Sequence, residues 1–394
     1  MTIAFNTLTA RVDLAAIVAN YELLRATAPG LIPVVKADAY GHGLYPVAWA
    51  LARAGAGALA VGTVAEAAFL RALPFRGEIL ALLGPIGPVG PVGPVGKVGK
   101  VGKGEADTKD DYELILEHDL TALIHDQAQL ERLGAMAAAR GKTAKTALKF
   151  DTGMGRLGFS RKDVRGVIAA LAKYPQLSPA MLCSHLATAD DAEDDAYATA
   201  QGEAYGDILE EFAVAGITLE VSLANSAAIL TRPDLALGTG RAGIALYGAN
   251  PFWGTAKAAL GEALRPAMSV SAAVIAVHDL PAGAGISYGL TFTAGRDMRV
   301  AVVQAGYADA YSRLGSNTAW MHLRGLRAPV VGRVCMQLTA IDVSDVPGVR
   351  PGDTAWLLGG EGEDPIRGEE LAEWWQTIPY EVFCLLGMNK REYV

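Results

Sequence analysis

The chain has 394 residues, 51% of them hydrophobic, and carries 42 acidic against 34 basic side chains for a formal net charge of −8. That length exceeds what one core usually spans, so two domains are expected; the acidic balance, without any Lys/Arg patch interleaved with aromatics, argues against nucleic acid and for a small-molecule ligand. No apolar run reaches the roughly 18 residues of a membrane span, no basic-then-apolar leader opens the chain, and Cys183, Cys335 and Cys384 form neither a metal knuckle nor a disulfide framework, which fits an unprocessed, soluble protein of a reducing cytoplasm.

Apolar residues recur at helical spacing over 11–27, with Asp13 placed to cap the helix. Eight short apolar or β-branched runs then follow at 31–36, 58–62, 78–83, 121–125, 146–150, 179–184, 219–223 and 241–247. Most are separated by amphipathic segments, at 45–54, 64–73, 127–140, 163–173 and 195–215. Parallel strands need helical crossovers, and eight of them can close without edges, so the pattern predicts an α/β fold with an eight-stranded parallel (β/α) barrel over 12–249. An open doubly wound sheet ranks second, because no dinucleotide-binding glycine fingerprint follows the first strand. Beyond Pro251 the runs at 268–277, 298–304, 328–334, 340–343 and 355–358 are joined by turns, which predicts a mostly β C-terminal domain over 250–394, joined by residues 1–11.

Residues 84–104 fit neither pattern. Glycine falls at every third position, followed first by prolines (Pro85, Pro88, Pro91, Pro94) and then by lysines (Lys97, Lys100, Lys103). The period is that of collagen, but the tract is short and sits inside a globular chain, so it reads as an extruded surface loop after the third strand.

Polar residues gather where strands end. The first strand stops at Lys36 in Val35-Lys36-Ala37-Asp38-Ala39-Tyr40-Gly41-His42-Gly43. A lysine there either snorkels to the rim or is held partly desolvated, which frees its amine for a Schiff base. The fifth strand runs into a glycine-rich loop from Lys149 to Phe159 that presents Arg156, whose planar fork suits a carboxylate; as a bare motif its Asp-Thr-Gly also reads as a turn. Ser184-His185 ends the sixth strand, where a histidine is either a satisfied core residue or a chemical one. Ala224-Asn225-Ser226 opens a helix, and Arg241-Ala242-Gly243-Ile244 follows in the region where such barrels bind phosphate.

Together with Ile286-Ser287-Tyr288-Gly289 and Val331-Gly332-Arg333-Val334-Cys335-Met336, these motifs resemble the alanine racemase family, in the same order and nearly from end to end. The resemblance implies a pyridoxal 5'-phosphate enzyme, a homodimer with composite active sites, that interconverts L- and D-alanine and supplies D-alanine for peptidoglycan. It implies that Lys36 holds the cofactor and serves as the base on one face of Cα, while Tyr288 of the partner subunit acts on the other. It assigns Tyr40, Ser226, Gly243, Ile244 and Tyr380 to the cofactor phosphate. Arg241 would face the pyridine nitrogen, and His185 would join it in a hydrogen-bonded chain to the tyrosine. Arg156 and the backbone of Met336 would address the substrate carboxylate, with Arg156 also near the cofactor's phenolic oxygen. Lys149 matches a lysine often carbamylated in the family. No metal is expected.

The sequence departs from the family's pattern at Gln337, where Asp is common, at the 84–104 insert, and in the ending at residues 388–393. Gln337 keeps open a broader amino-acid racemase acting on serine, lysine or arginine. A non-catalytic pyridoxal-phosphate carrier is disfavoured by the segment around Tyr288, and a decarboxylase by the arginine at position 241. Neither the insert nor the ending is expected to touch the named chemistry.

Overall fold

The computed structural model describes residues 7–86, 110–191, 193, 195–236 and 238–394. Most of the 84–104 repeat therefore lies outside the described residues.

Strands β1 (Thr9–Val12) and β2 (Ile32–Pro33) flank the first helix, Leu14–Thr27, whose N-cap Asp13 accepts from the Ala16 amide. Six strands then pair in sequence order as one parallel sheet: β3 (Ala58–Val61), β4 (Glu78–Ala81), β5 (Thr121–Ile124), β6 (Ala144–Lys149), β7 (Leu177–Cys183) and β8 (Glu220–Ser222). β9 (Arg241–Ala242) pairs in parallel with β2, and Val34 bridges in parallel to Ala60 of β3. The amides of Thr239 and Arg241 donate to the carbonyls of Val221 and Ala224, just around β8. Strands β3, β4 and β5 are buried over nearly their whole length, as expected of a parallel layer covered by helices. Helices such as Gln127–Arg140 and Val164–Lys173 end or begin where the sequence signals do; Gly141, at φ 60°, closes the former.

Two of the eight predicted strands, at 31–36 and 241–247, are shorter than expected. Pro33 has no amide to donate, and after Val35 the backbone leaves extended geometry; after Ala242 it passes through Gly243 into a 3-10 turn at Ile244–Tyr247.

The second layer is a mostly antiparallel sheet. Its path is β15 (Leu326–Pro329), β14 (Trp320–Leu323), β17 (Thr354–Leu358), β10 (Met268–Leu280), β1 and β18 (Lys390–Tyr393). β13 (Met298–Val303) branches from β10 and pairs β16 (Thr339–Asp342), while β11 (Gly285–Ile286) and β12 (Phe292–Thr293) form a separate hairpin. β1 thus pairs with β10 and β18 and not with the parallel strands that follow it in sequence. One continuous apolar cluster, including Ile17, Leu59, Leu148, Val270, Leu357 and Val382, spans both layers. Asn20, buried on the first helix, joins them by polar contact: its amide donates to the carbonyls of Leu246 (3.1 Å) and Arg265 (2.8 Å), and its oxygen accepts from the Arg265 amide (2.8 Å).

Asn20→Ala leaves these buried backbone groups unpaired, so it is expected to destabilise the fold by roughly 2–4 kcal/mol, read as a lowered urea midpoint.

Candidate active site

Lys36 follows β2 at the head of an unusual turn. Ala37, Asp38, Ala39 and Tyr40 all have φ between 53° and 55°, four successive non-glycine residues in the left-handed region. Each such residue costs roughly 1–2 kcal/mol, so the turn exists because its surroundings hold it. The Ala37 amide donates to the Glu66 carboxylate (2.8 Å), and the Leu44 amide to Asp38 (2.6 Å). His42 is fully buried, with Nδ1 at 3.1 Å and 3.0 Å from the carbonyls of Ala39 and Tyr40; since carbonyls only accept, Nδ1 carries the proton. Its ring stacks on Tyr247, and Nε2 has no partner among the described residues. A Cβ on Gly41 would strike the Phe383 carbonyl, so only glycine lets the helix Pro379–Leu386 pack so closely.

The chain's ending also reaches this turn, though at Asp38, Gly41 and Gly43 and not at the named site residues Lys36 and Tyr40. β18 carries Arg391 to the carboxylate of Asp38 and to the Gly41 carbonyl (3.1 Å), and a side chain at Gly43 would collide with the Tyr393 hydroxyl. Pairing of β18 with β1, which sets this approach, joins segments hundreds of residues apart.

Around the Lys36 amine stand Arg156, Glu66, Cys384 and Arg241. The amine lies below the ordinary lysine range, first because the surrounding protein strips water from the ammonium and then because Arg156 repels it; Glu66 and Cys384 act in the opposite direction. Lys149, the last residue of β6, is buried, and its amine donates to the Phe150 carbonyl (3.3 Å). Desolvation, with Arg241 next in weight, lowers it to about 8.

Arg241 opens β9 rather than ending a strand, yet its buried side chain reaches across to the ends of β7 and β8. It donates to the carbonyls of Ser184 (2.6 Å) and Ser222 (2.8 Å), to the Ser222 hydroxyl, and to Nδ1 of His185 (3.3 Å). A guanidinium has no acceptor, so His185 receives this bond on Nδ1 and keeps its proton on Nε2. Desolvation and the cations Arg241, Lys149, Arg156 and Lys36 push His185 down to about 2, so it is neutral throughout the working pH range. The loop bearing Arg156 is shaped by Asp151, which accepts from the amides of Gly153 (2.9 Å) and Arg156 (3.2 Å).

Tyr40, Ser226 and Gly243 converge beside this cationic group. The Ser226 hydroxyl accepts from the Gly243 amide (2.9 Å), a Cβ at Gly243 would collide with the Tyr40 hydroxyl, and the Tyr40 ring lies 5.9 Å from that of Tyr380. Ile244 begins the adjoining 3-10 turn. Hydroxyls and backbone amides next to lysines and arginines are a donor set suited to a phosphorylated, anionic aromatic group, and Lys36 supplies an amine to condense with an aldehyde. These residues fit pyridoxal phosphate.

Tyr288 and Met336 lie apart from this cluster, in the second layer, 70% and 57% exposed. Ser287, at φ 67°, ties their two segments together: its hydroxyl donates to the Arg333 carbonyl (2.6 Å) and lies 3.4 Å from the Cys335 thiol. Glu66, Asp38, His42 and Arg391 were not singled out from the sequence. Glu66 had a legible signal as the fourth residue of a Thr63-x-x-Glu66 capping box, but its bond to Ala37 depends on the neighbouring strand.

Comparison with known proteins agrees with this geometry. The profile described as "Alanine racemase, N-terminal domain" matches residues 12–91 and 101–251, and "Alanine racemase, C-terminal domain" matches 267–393. The chain is 48% identical over 393 residues to an alanine racemase of Nitratidesulfovibrio vulgaris, covering 100% of both chains. Among solved structures, it is similar to the alanine racemase of Streptomyces lavendulae (TM-score 0.84, 32% identity, 99% and 97% covered). It is also similar to that of Bartonella henselae with covalently bound pyridoxal phosphate (TM-score 0.83, 28% identity, 98% and 99% covered).

Gly243→Ala displaces the Tyr40 hydroxyl and is expected to weaken pyridoxal phosphate binding on the order of tenfold, read by absorbance titration of the cofactor-free chain. A second expectation concerns acid. Unfolded histidine titrates near 6.5, whereas burial holds folded His42 down to about 4. Between those values only the unfolded chain takes up this proton, so the stability His42 contributes is full above pH ~6.5 and declines below it by up to about 1.4 kcal/mol per pH unit. Urea unfolding from neutral pH to pH ~5 should show a shallower decline in His42→Gln.

Proposed function

Because the chain belongs to the alanine racemase family, we propose that Lys36 and Tyr288 are the two acid–base groups with which it interconverts L- and D-alanine. The protein is an isomerase dependent on pyridoxal 5'-phosphate. When bound, that cofactor supplies the electron sink that makes the α-proton of an amino acid removable.

The observation that carries the site assignment is the gathering of Lys36, Lys149, Arg156 and Arg241 around a neutral His185, with Glu66 as the carboxylate facing Lys36. Such a cationic site favours an anionic cofactor and a substrate carboxylate. Tyr40, Ser226, Gly243, Ile244 and Tyr380 would hold the cofactor phosphate, and Arg156 together with the backbone of Met336 of the partner subunit would address the substrate carboxylate. Lys36, its amine already below the usual lysine range, exchanges a proton at one face of Cα.

Racemisation needs a second group on the opposite face, and exposed Tyr288 serves it from a partner subunit. In this homodimer, Nε2–H of His185 donates to the oxygen of Tyr288 of the partner subunit, and Arg241 holds that tautomer through Nδ1. A hydrogen bond to the phenolate lowers the energy needed to form it. Lys149, at about 8, has a substantial neutral fraction near that pH and can take up carbon dioxide as a carbamate, which would then orient Arg156.

The β2–β9 pair closes the six-stranded sheet into an eight-stranded barrel, supported on one side by the Val34–Ala60 bridge and on the other by the amide bonds of Thr239 and Arg241. The chain divides into a cofactor domain at 12–249 and a β-rich domain at 250–394 that also takes up the strand Thr9–Val12. The enzyme works in the cytoplasm, on free amino acids and without nucleic-acid partners, and supplies D-alanine for the cell wall. Among the described residues no helix is long and apolar enough to cross a membrane, and the three cysteines are free.

Exchange of the α-proton in heavy water, followed from both enantiomers of alanine and of serine, lysine and arginine, tests the reaction and its breadth. Alanine is expected to exchange fastest, and equal rates for the others would overturn the narrow substrate assignment. Lys36→Ala and Tyr288→Phe should each abolish racemisation. Mixing the two inactive proteins and allowing subunits to exchange should restore about one quarter of native activity, because half the dimers then hold one complete site. No recovery would rule out sites shared between subunits.

A further inference from the structure

Glu66 does more than cap its helix. Its Oε2 accepts from the amides of Gly62 (2.8 Å) and Thr63 (3.0 Å), and the Thr63 hydroxyl accepts from the Glu66 amide (3.1 Å), which completes the reciprocal cap of the helix Val64–Arg71. That cap leaves Oε1 free, and Oε1 accepts from the amide of Ala37 at 2.8 Å. The carboxylate therefore binds two strand ends at once: the one after β3 and the one that carries Lys36. The packing is tight, since a Cβ added to Gly62 would lie 3.0 Å from Oε2 and 3.5 Å from the Lys36 Cβ.

We propose that Glu66 is a positioning residue for Lys36: by holding the amide that follows the lysine, its carboxylate fixes the first residue of the left-handed turn and with it the stance of the amine. The proposal rests on the reading of Lys36 as the proton carrier. The charged and titratable groups facing Lys36 are Arg156 from the loop after β6, Arg241 from β9, Cys384 from the helix Pro379–Leu386, and Glu66. Both arginines disfavour the ammonium, whereas Glu66 favours it, so its removal should lower the lysine further as well as loosen it.

A helix cap and a positioning group are separated by comparing Glu66→Gln with Thr63→Ala. Thr63→Ala breaks the cap but leaves Oε1 on Ala37; Glu66→Gln keeps the size of the side chain but replaces one of the two acceptor oxygens with an amide donor. Two quantities are read. One is the pH midpoint for acylation of Lys36 by acetic anhydride in the cofactor-free full chain, followed by peptide mass spectrometry. The other is kcat and KM for L-alanine in the loaded enzyme.

In Glu66→Gln the midpoint should fall by about half a unit or more, and kcat by about tenfold with KM changed less than about twofold. Thr63→Ala should lower thermal stability with both quantities near native. Should Glu66→Gln fail to fold, Glu66→Asp, which draws the carboxylate back from Ala37, is expected to show the same fall in kcat. An unshifted midpoint, an unchanged kcat, or reproduction of both effects by Thr63→Ala would reduce Glu66 to a helix cap and overturn the proposal. If the native chain does not racemise alanine, the functional reading fails, and the acylation midpoint alone decides what Glu66 does to Lys36.

Discussion

Four consecutive L-residues in left-handed backbone are a conformation that a chain adopts only under external constraint, and the turn after Lys36 shows where that constraint comes from. Glu66 holds its first amide, Asp38 binds the Leu44 amide and Arg391, and His42 spans the last two carbonyls from within the core. The bonds from Asp38 to Leu44 and from His42 are local, whereas Glu66 and Arg391 come from distant parts of the chain. The turn begins at Lys36, and Tyr40, four residues on, brings its hydroxyl to where a Cβ on Gly243 would lie.

Electrostatics is the second organising constraint. Lys36, Lys149, Arg156 and Arg241 would repel one another in a site without anions; burial is the main reason that the amines of Lys36 and Lys149 are lowered, and the neighbouring arginines add to it. Burial of Arg241 is tolerated because its guanidinium is tied to two carbonyls, a hydroxyl and a ring nitrogen. The same bonds fix the tautomer of His185, so a single buried arginine sets both the local potential and the direction in which the histidine can donate.

Much of this was legible in the sequence, for identifiable reasons. The alternation of apolar runs with amphipathic segments marks the parallel strands and their helices, because the two periodicities differ. Lys36, Lys149, His185 and Asn225 could be placed at strand ends because the apolar runs stop there. Position along the chain does not reveal the handedness of the Lys36 turn, since alanine and tyrosine do not advertise positive φ and a single aspartate does not mark a run of four. Nor does it reveal that Arg391 meets Asp38 or that Oε1 of Glu66 meets Ala37: those contacts depend on strand register, which local pattern does not set. The ending at 388–393 acts on the turn through Arg391 and Tyr393, contacts that no repeating motif announces.

The pairing of Asp38 with Arg391 closes a loop of 353 residues, whereas Glu66 meets Ala37 across 29. Loop closure becomes harder with length, and non-local contacts form late in folding. The parallel layer can therefore assemble around a reactive turn that is only half secured, and the turn locks when the C-terminal strand docks. Enzymatic competence should trail the recovery of secondary structure on refolding, as a lag between the far-ultraviolet circular dichroism signal and the return of activity.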